Sequence, residues 1–137
     1  MWQCENCNRE FIHTNQSHSC VVYPLENHFK GKEKIAKPLF DEYIKRIKKE
    51  IGPVKIESLP CCIHLVSDYT FGAVWALKDR IRIDFRLNHT IKSANIHKEF
   101  KMSANRYLYH LDIFDKKDIN SDLIGWLKES YSLHNVE

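Results

Sequence analysis

The N-terminal stretch carries Cys4-Glu5-Asn6-Cys7, then Phe11, His13, His18 and Cys20, and no other part of the chain concentrates metal-ligating side chains so densely. Two thiolates in Cys-x2-Cys spacing bite one metal ion from a tight turn whose backbone amides face the sulfurs. Structural zinc contributes on the order of 10–16 kcal/mol to the folding of isolated finger peptides. This feature therefore constrains what the N-terminus can fold into more than any other.

The second half of the pattern is unusual. A two-Cys two-His finger places about twelve residues after its first pair and then two histidines on a helix. Here the twelve-residue gap after Cys7 ends at Cys20, with His18 just before it. His18 and Cys20 are i and i+2, which diverge on a helix, so both reach one ion only from a turn or an extended segment. His13 and Cys20 would share a helix face but lie roughly 10 Å apart at ~1.5 Å rise per residue, too far for one zinc with ligands at about 2.0–2.3 Å. The expected set is Cys4, Cys7, His18 and Cys20, with His13 as the substitute for His18. Three thiolates and one imidazole leave no open position, so a structural Zn²⁺ is expected. A redox pair would sit at a strand-to-helix junction of a βαβ pattern, and none surrounds Cys4. The odd number of cysteines and the lack of a signal peptide point to reduced thiols and a cytoplasmic setting.

A length of 137 residues supports one compact domain with a small appendage. The division expected is a zinc knuckle and linker over residues 1–24 and an α+β domain over 25–137. The longest apolar stretches are strand-sized, which argues against a membrane span. The formal net charge is +3, or about +2 once three thiolates and Zn²⁺ are counted, modest for an obligate nucleic-acid binder. Residues 30–50 are basic and the segment from Asp115 is acidic; a basic helix face is most often simply solvated.

Val21–Pro24 reads as an extended linker and Leu25–Phe29 as a brief helical turn. A helix is expected from about Lys37 to Ile51: Pro38 suits its first turn, Gly52-Pro53 stops it, and Leu39, Phe40, Tyr43, Ile44, Ile47 and Ile51 form one apolar stripe. Beyond it the period changes to two, with strands expected at Val54–Leu59, Cys61–Val66, Phe71–Leu77, Arg80–Leu87, Lys98–Met102 and Tyr107–Phe114. Lys78-Asp79 suits a tight turn, and 88–96 a polar loop. A final helix starts near Asp118, capped by Asp118 or Asn120, with Leu123, Ile124, Leu127 and Tyr131 inward. The fold class expected is α+β: an antiparallel sheet of about five to six strands packed by helices and preceded by the knuckle.

Cys4-x-x-Cys7-x-Arg9-Glu10-Phe11 followed by Thr14-Asn15-Gln16-x-His18-x-Cys20 resembles the start of bacterial proteins in the domain of unknown function 5655 family. Gly52-Pro53-Val54, Phe71-x-Ala73-Val74, the alternating strand from Ile81, and Trp126-Leu127-x-Glu129-x-Tyr131 extend the resemblance over nearly the whole chain. It implies that His18, rather than His13, is the imidazole ligand, and it marks His110 as typical of the family. Trp75 stands where members often have a less bulky residue, and Ser130 where alanine is usual, departures expected to affect packing. The family carries no established activity.

Three functions are therefore weighed. The leading one is a zinc-stabilised binding module that recognises an anionic ligand, nucleic acid or nucleotide-like, on a sheet face bearing Arg80, Arg82 and Arg86. Lys98, Lys101 and Arg106 are expected on neighbouring segments, with Tyr107 or Tyr109 as stacking rings and His110 nearby. The second is a protein-interaction module docking through the knuckle and the basic helix. The third is a small enzyme using His110 and Asp112, on one strand face, with His64 approaching them. No motif places a nucleophile and no Gly-rich phosphate loop is present, so no catalytic residue is assigned. Cys61 and Cys62 would point to opposite faces if extended and are read as small buried hydrophobes.

Overall fold

Alternation between apolar and polar residues runs through the middle of the chain, and it resolves into a six-stranded antiparallel sheet with both helices on one face. The computed structural model describes residues 2–5, 9–16 and 23–133. Its strands are β1 (Trp2–Gln3), β2 (Glu10–Phe11), β3 (Lys55–Ser58), β4 (Ile63–Val66), β5 (Thr70–Ala76), β6 (Ile81–Leu87), β7 (Ile96–Ser103) and β8 (Arg106–Ile113). The helices are α1 (Ala36–Glu50) and α2 (Ser121–Leu133), with a short 3₁₀ helix at Leu25–Phe29. The large sheet has the order β3-β4-β5-β6-β8-β7, so β7 and β3 are its edges.

Helix α1 begins one residue before the expected start and ends as its sequence requires. Ile51 and Gly52 N–H groups both donate to the Ile47 carbonyl, at 2.9 and 3.0 Å, and Tyr131 donates its hydroxyl to Pro53 O at 2.8 Å. Helix α2 is capped by Asn120, whose Oδ1 accepts from Leu123 N–H at 3.0 Å. Asp118 instead closes a capping box with Asp115 in the preceding 3₁₀ turn.

One face of the sheet is the core. Ile63, Leu65, Val74, Ile81, Ile83, Phe85, Leu87, Leu111 and Ile113 meet Leu39, Tyr43 and Ile47 of α1 and Leu123 and Leu127 of α2, all buried. The other face, carrying the alternate residues, has no helix on it among the described residues.

The sheet opens at one point. Val74 pairs with Ile83, but beyond them β5 and β6 are bridged by side chains. Ala73 N–H donates to Asp84 Oδ1 at 2.7 Å. Ser130 of α2 donates to Phe71 O at 3.0 Å and accepts from Arg86 N–H at 3.0 Å. Gly72 sits in this opening, where a Cβ would lie 3.0 Å from Asp84 O. Ser130 therefore completes the sheet's hydrogen bonding, a role beyond the packing its position suggests.

Strands β1 and β2 form a hairpin, Trp2 opposite Phe11 and Gln3 opposite Glu10, and Cys4 N–H donates to Arg9 O at 2.9 Å across its turn. Phe11 thus lies in a strand, its ring beside that of Trp2 with centroids 5.9 Å apart. Two ion pairs join this hairpin to β3: Lys55 with Glu10 at 2.7 Å and Arg9 with Glu57 at 3.7 Å. Among the described residues no helix is long and apolar enough to cross a membrane.

Candidate functional site

Alternation along β5, β6 and β8 places Trp75, Arg82, Asp84, Arg86, Leu108, His110 and Asp112 on the helix-free face. Trp75 and His110 come from strands on either side of β6, and their rings meet across it with centroids 5.2 Å apart. Phe100 of β7, 42% exposed, meets the His110 ring edge-on at 5.4 Å. A continuous aromatic row, Trp75–His110–Phe100, thus crosses four strands, and Lys98 lies opposite His110 in the register.

Beneath the row are buried acids. Asp84 is 8% exposed, and burial pushes its pKa up to about 6 against the opposing pull of the Ala73 N–H and Arg86. Asp112 accepts from Arg82 through Oδ1 (Nε, 2.7 Å) and Oδ2 (Nη2, 3.2 Å), and Arg80 Nε lies 3.1 Å from the same Oδ2. Burial works to raise the Asp112 pKa, but the Arg82 hydrogen bonds and the charges of Arg82 and Arg80 outweigh it and hold the carboxyl below its ordinary range.

These contacts redistribute the expected cation set. Arg82 and Arg80 share one carboxylate, so only part of their charge faces outward. Arg86 and Lys98 lie on the open face, as does Arg106 two residues before Leu108. Lys101 does not: it stands opposite Tyr107 and so points to the helix-bearing side. The expected stacking rings are also corrected. Tyr109 is fully buried against Phe85, and Tyr107 shares its face, because odd-numbered β8 residues point into the core. Trp75 and Phe100 take their place on the outer face.

The catalytic grouping is not assembled. His64, Ala73, Asp84 and His110 lie in one row across β4, β5, β6 and β8, so His64 and His110 are roughly 14 Å apart at ~4.8 Å per strand. Asp112 is turned to the two arginines, and His110 titrates below the ordinary histidine value through burial and then the charges of Arg82, His97 and Lys98. The basic helix is partly neutralised, Lys37 by Asp41 and Arg46 by Glu50.

Of the four expected knuckle ligands, only Cys4 falls among the described residues, buried in the hairpin turn; Cys7, His18 and Cys20 lie outside them. His13 is exposed, in a turn where Gln16 N–H donates to its carbonyl at 3.2 Å.

A second cluster of soft ligands appears where none is expected. Cys61, Cys62 and His64 bring two sulfurs and a ring nitrogen within 4.8 Å of one another, with Sγ–Sγ at 3.1 Å. The extended reading of Cys61-Cys62 fails because β4 starts only at Ile63. Leu59 N–H donates to Cys62 O at 3.0 Å, closing a turn at Pro60-Cys61, so strand alternation reaches Cys62 but not Cys61. Pro60 was the available signal. Burial, then the neighbouring Cys61 thiol, pushes the Cys62 pKa up to about 12, and burial lowers that of His64.

No curated protein and no solved structure matches the chain. One family does match, over residues 25–134, and it covers the 3₁₀ helix, both long helices and every strand of the large sheet. The chain therefore belongs to the family described as Domain of unknown function (DUF5655).

Proposed function

We propose that the helix-free sheet face binds a flat, anionic ligand of the nucleotide type, single-stranded nucleic acid being its polymeric form. The observation that carries this reading is the row Trp75–His110–Phe100 flanked by Arg86, Lys98 and Arg106. Aromatic faces stack on bases whatever their sequence, at about 1–3 kcal/mol per base, while a flanking cation follows the phosphates. Arg86 offers a planar fork suited to phosphate oxygens, and the Arg82–Asp112 pair braces the strands beneath.

In the same reading residues 1–24 form a zinc knuckle, with Cys4, Cys7, His18 and Cys20 as ligands and Zn²⁺ as a structural ion. The Cys4–Arg9 turn supports it, since a hairpin tip closed by a backbone hydrogen bond is where a Cys-x2-Cys pair is able to grip one ion. The ion pairs to Glu57 and Lys55 attach that unit to the α+β domain of residues 25–137. The setting proposed is the cytoplasm of a bacterium.

The test is an electrophoretic shift of the full chain with a mixed-sequence single-stranded oligonucleotide at low and high salt. A shift that weakens with salt and is lost in Trp75→Ala supports the reading. A shift unchanged in Trp75→Ala, or no shift at low salt, overturns it. A salt-insensitive protein partner captured through exposed Phe100 and Met102 of edge strand β7 would favour protein docking instead.

A further inference from the structure

We infer that Cys61, Cys62 and His64 form a second metal site, open at one coordination position and taking a soft or borderline d10 cation, with Zn²⁺ as the ion tested. It uses none of the four ligands proposed for the N-terminal knuckle and does not depend on the sheet-face reading.

Three features of the chain build it. Cys62 and His64 are i and i+2 entering β4, so both project to the helix-free face. The Leu59–Cys62 turn then folds Cys61 back beside Cys62, which strict alternation would have forbidden. Three donor atoms from four consecutive residues thus converge within 4.8 Å. Paired thiols with an imidazole are the donor set that Zn²⁺ and other thiophilic ions prefer over Mg²⁺ or Ca²⁺.

The geometry needs only a small adjustment. The sulfurs are 3.1 Å apart, longer than the ~2.05 Å of a disulfide bond. Two sulfurs at about 2.3 Å from a tetrahedral zinc are separated by roughly 3.8 Å. The thiols must therefore part by well under one ångström on metal entry. Cys61 is exposed and has the rotamer freedom to allow this, while buried Cys62 stays in place. On binding, both thiols release their protons to water and the neutral imidazole donates a lone pair. The complex of two thiolates, one imidazole and Zn²⁺ is neutral, so it does not disturb the nearby Arg9–Glu57 pair beside His64.

Among the described residues, three protein ligands leave a fourth position, on the side where Cys61 is exposed. This contrasts with the closed four-ligand set expected at the N-terminus. A closed site holds structure, whereas an open one binds water or an exogenous ligand.

The test uses the full chain, purified without a histidine tag, stripped by chelator under reduction and reloaded with Zn²⁺ or Co²⁺. Cys61→Ser/Cys62→Ser should bind one equivalent less than the unmodified chain. Cys7→Ser should keep that equivalent, with its thiolate-to-cobalt absorption band. His64→Ala should lower the affinity of this equivalent at least tenfold. An unchanged metal count in Cys61→Ser/Cys62→Ser overturns the site. Because the double variant risks misfolding, a second measurement uses the unmodified chain: Zn²⁺ should slow alkylation of Cys61 more than tenfold. Equal labelling with and without Zn²⁺, or recovery of a metal-free Cys61–Cys62 disulfide that takes up no ion after reduction, overturns it.

Discussion

The two faces of the large sheet come from the same strands and alternate residue by residue, yet they obey different physics. On the helix-bearing face, Ile83, Phe85, Leu111 and Ile113 are buried against α1 and α2 and carry no polar side-chain atom of their own. On the other face, Asp84 and Asp112 are nearly as buried, but each needs a named partner, Ala73 N–H for one and Arg82 with Arg80 for the other. Burial without helices is thus achieved by side chains covering side chains, Trp75 and His110 meeting across β6. The first face stores stability in apolar contact. The second gives up part of that stability for oriented charge and partly exposed rings, which a pure packing surface would not carry.

Four substitutions break or sharpen this contrast. Phe85→Ala removes a fully buried ring stacked between Tyr109 and Trp126 and should cost about 3–5 kcal/mol in chemical denaturation. On the opposite face, Asp84→Asn should do the reverse. The Asp84 pKa is raised from 3.8 to about 6 in the folded chain, so the folded state holds this proton more tightly than the unfolded one. The stability this proton contributes is fully present below about pH 4 and is lost as pH rises through about 6. Asparagine keeps the acceptor for Ala73 N–H and carries no charge. With metal chelated, the variant should therefore be more stable than the wild-type chain by about 2–3 kcal/mol at pH 8, and the difference should vanish near pH 4; a gap independent of pH would show that Asp84 is not the titrating group.

Ser130→Ala tests the opening between the faces. It leaves Arg86 N–H and Phe71 C=O without the hydroxyl that joins them, at a cost of about 1–3 kcal/mol, and amide exchange at Arg86 should accelerate. The smallest effect on stability, under about 1 kcal/mol, is expected for Lys98→Ala, since Lys98 lies on an exposed strand. It should instead reduce the salt dependence of oligonucleotide binding by about one phosphate contact.

Much of the architecture was readable from local pattern. The α1 stripe, its Gly52-Pro53 stop, the Asn120 cap and six strands all emerge within a residue or two of their expected bounds, because period and capping chemistry act over a few neighbours. The site was less readable. Tyr107 or Tyr109 is the stacking ring the local pattern offers, and only the β6–β8 register assigns both to the core. Lys101 looked equivalent to Lys98, and the β7–β8 pairing puts it on the other side. Arg80 and Arg82 read as free cations until Asp112, thirty residues from Arg82 in sequence, was brought between them. Cys61 and Cys62 read as divergent because alternation was extended through a Pro60 turn.

The sequence by itself determined the element types, the α+β class, the apolar face of each strand and the dense N-terminal set of thiols and imidazoles. These depend on periodicity, turn chemistry and spacing, all carried by short stretches of chain. Tertiary structure alone decided strand order, which acids neutralise which arginines, and the meeting of Trp75 with His110. Each of those requires a register to bring distant groups within a few ångströms, and no local pattern encodes that distance.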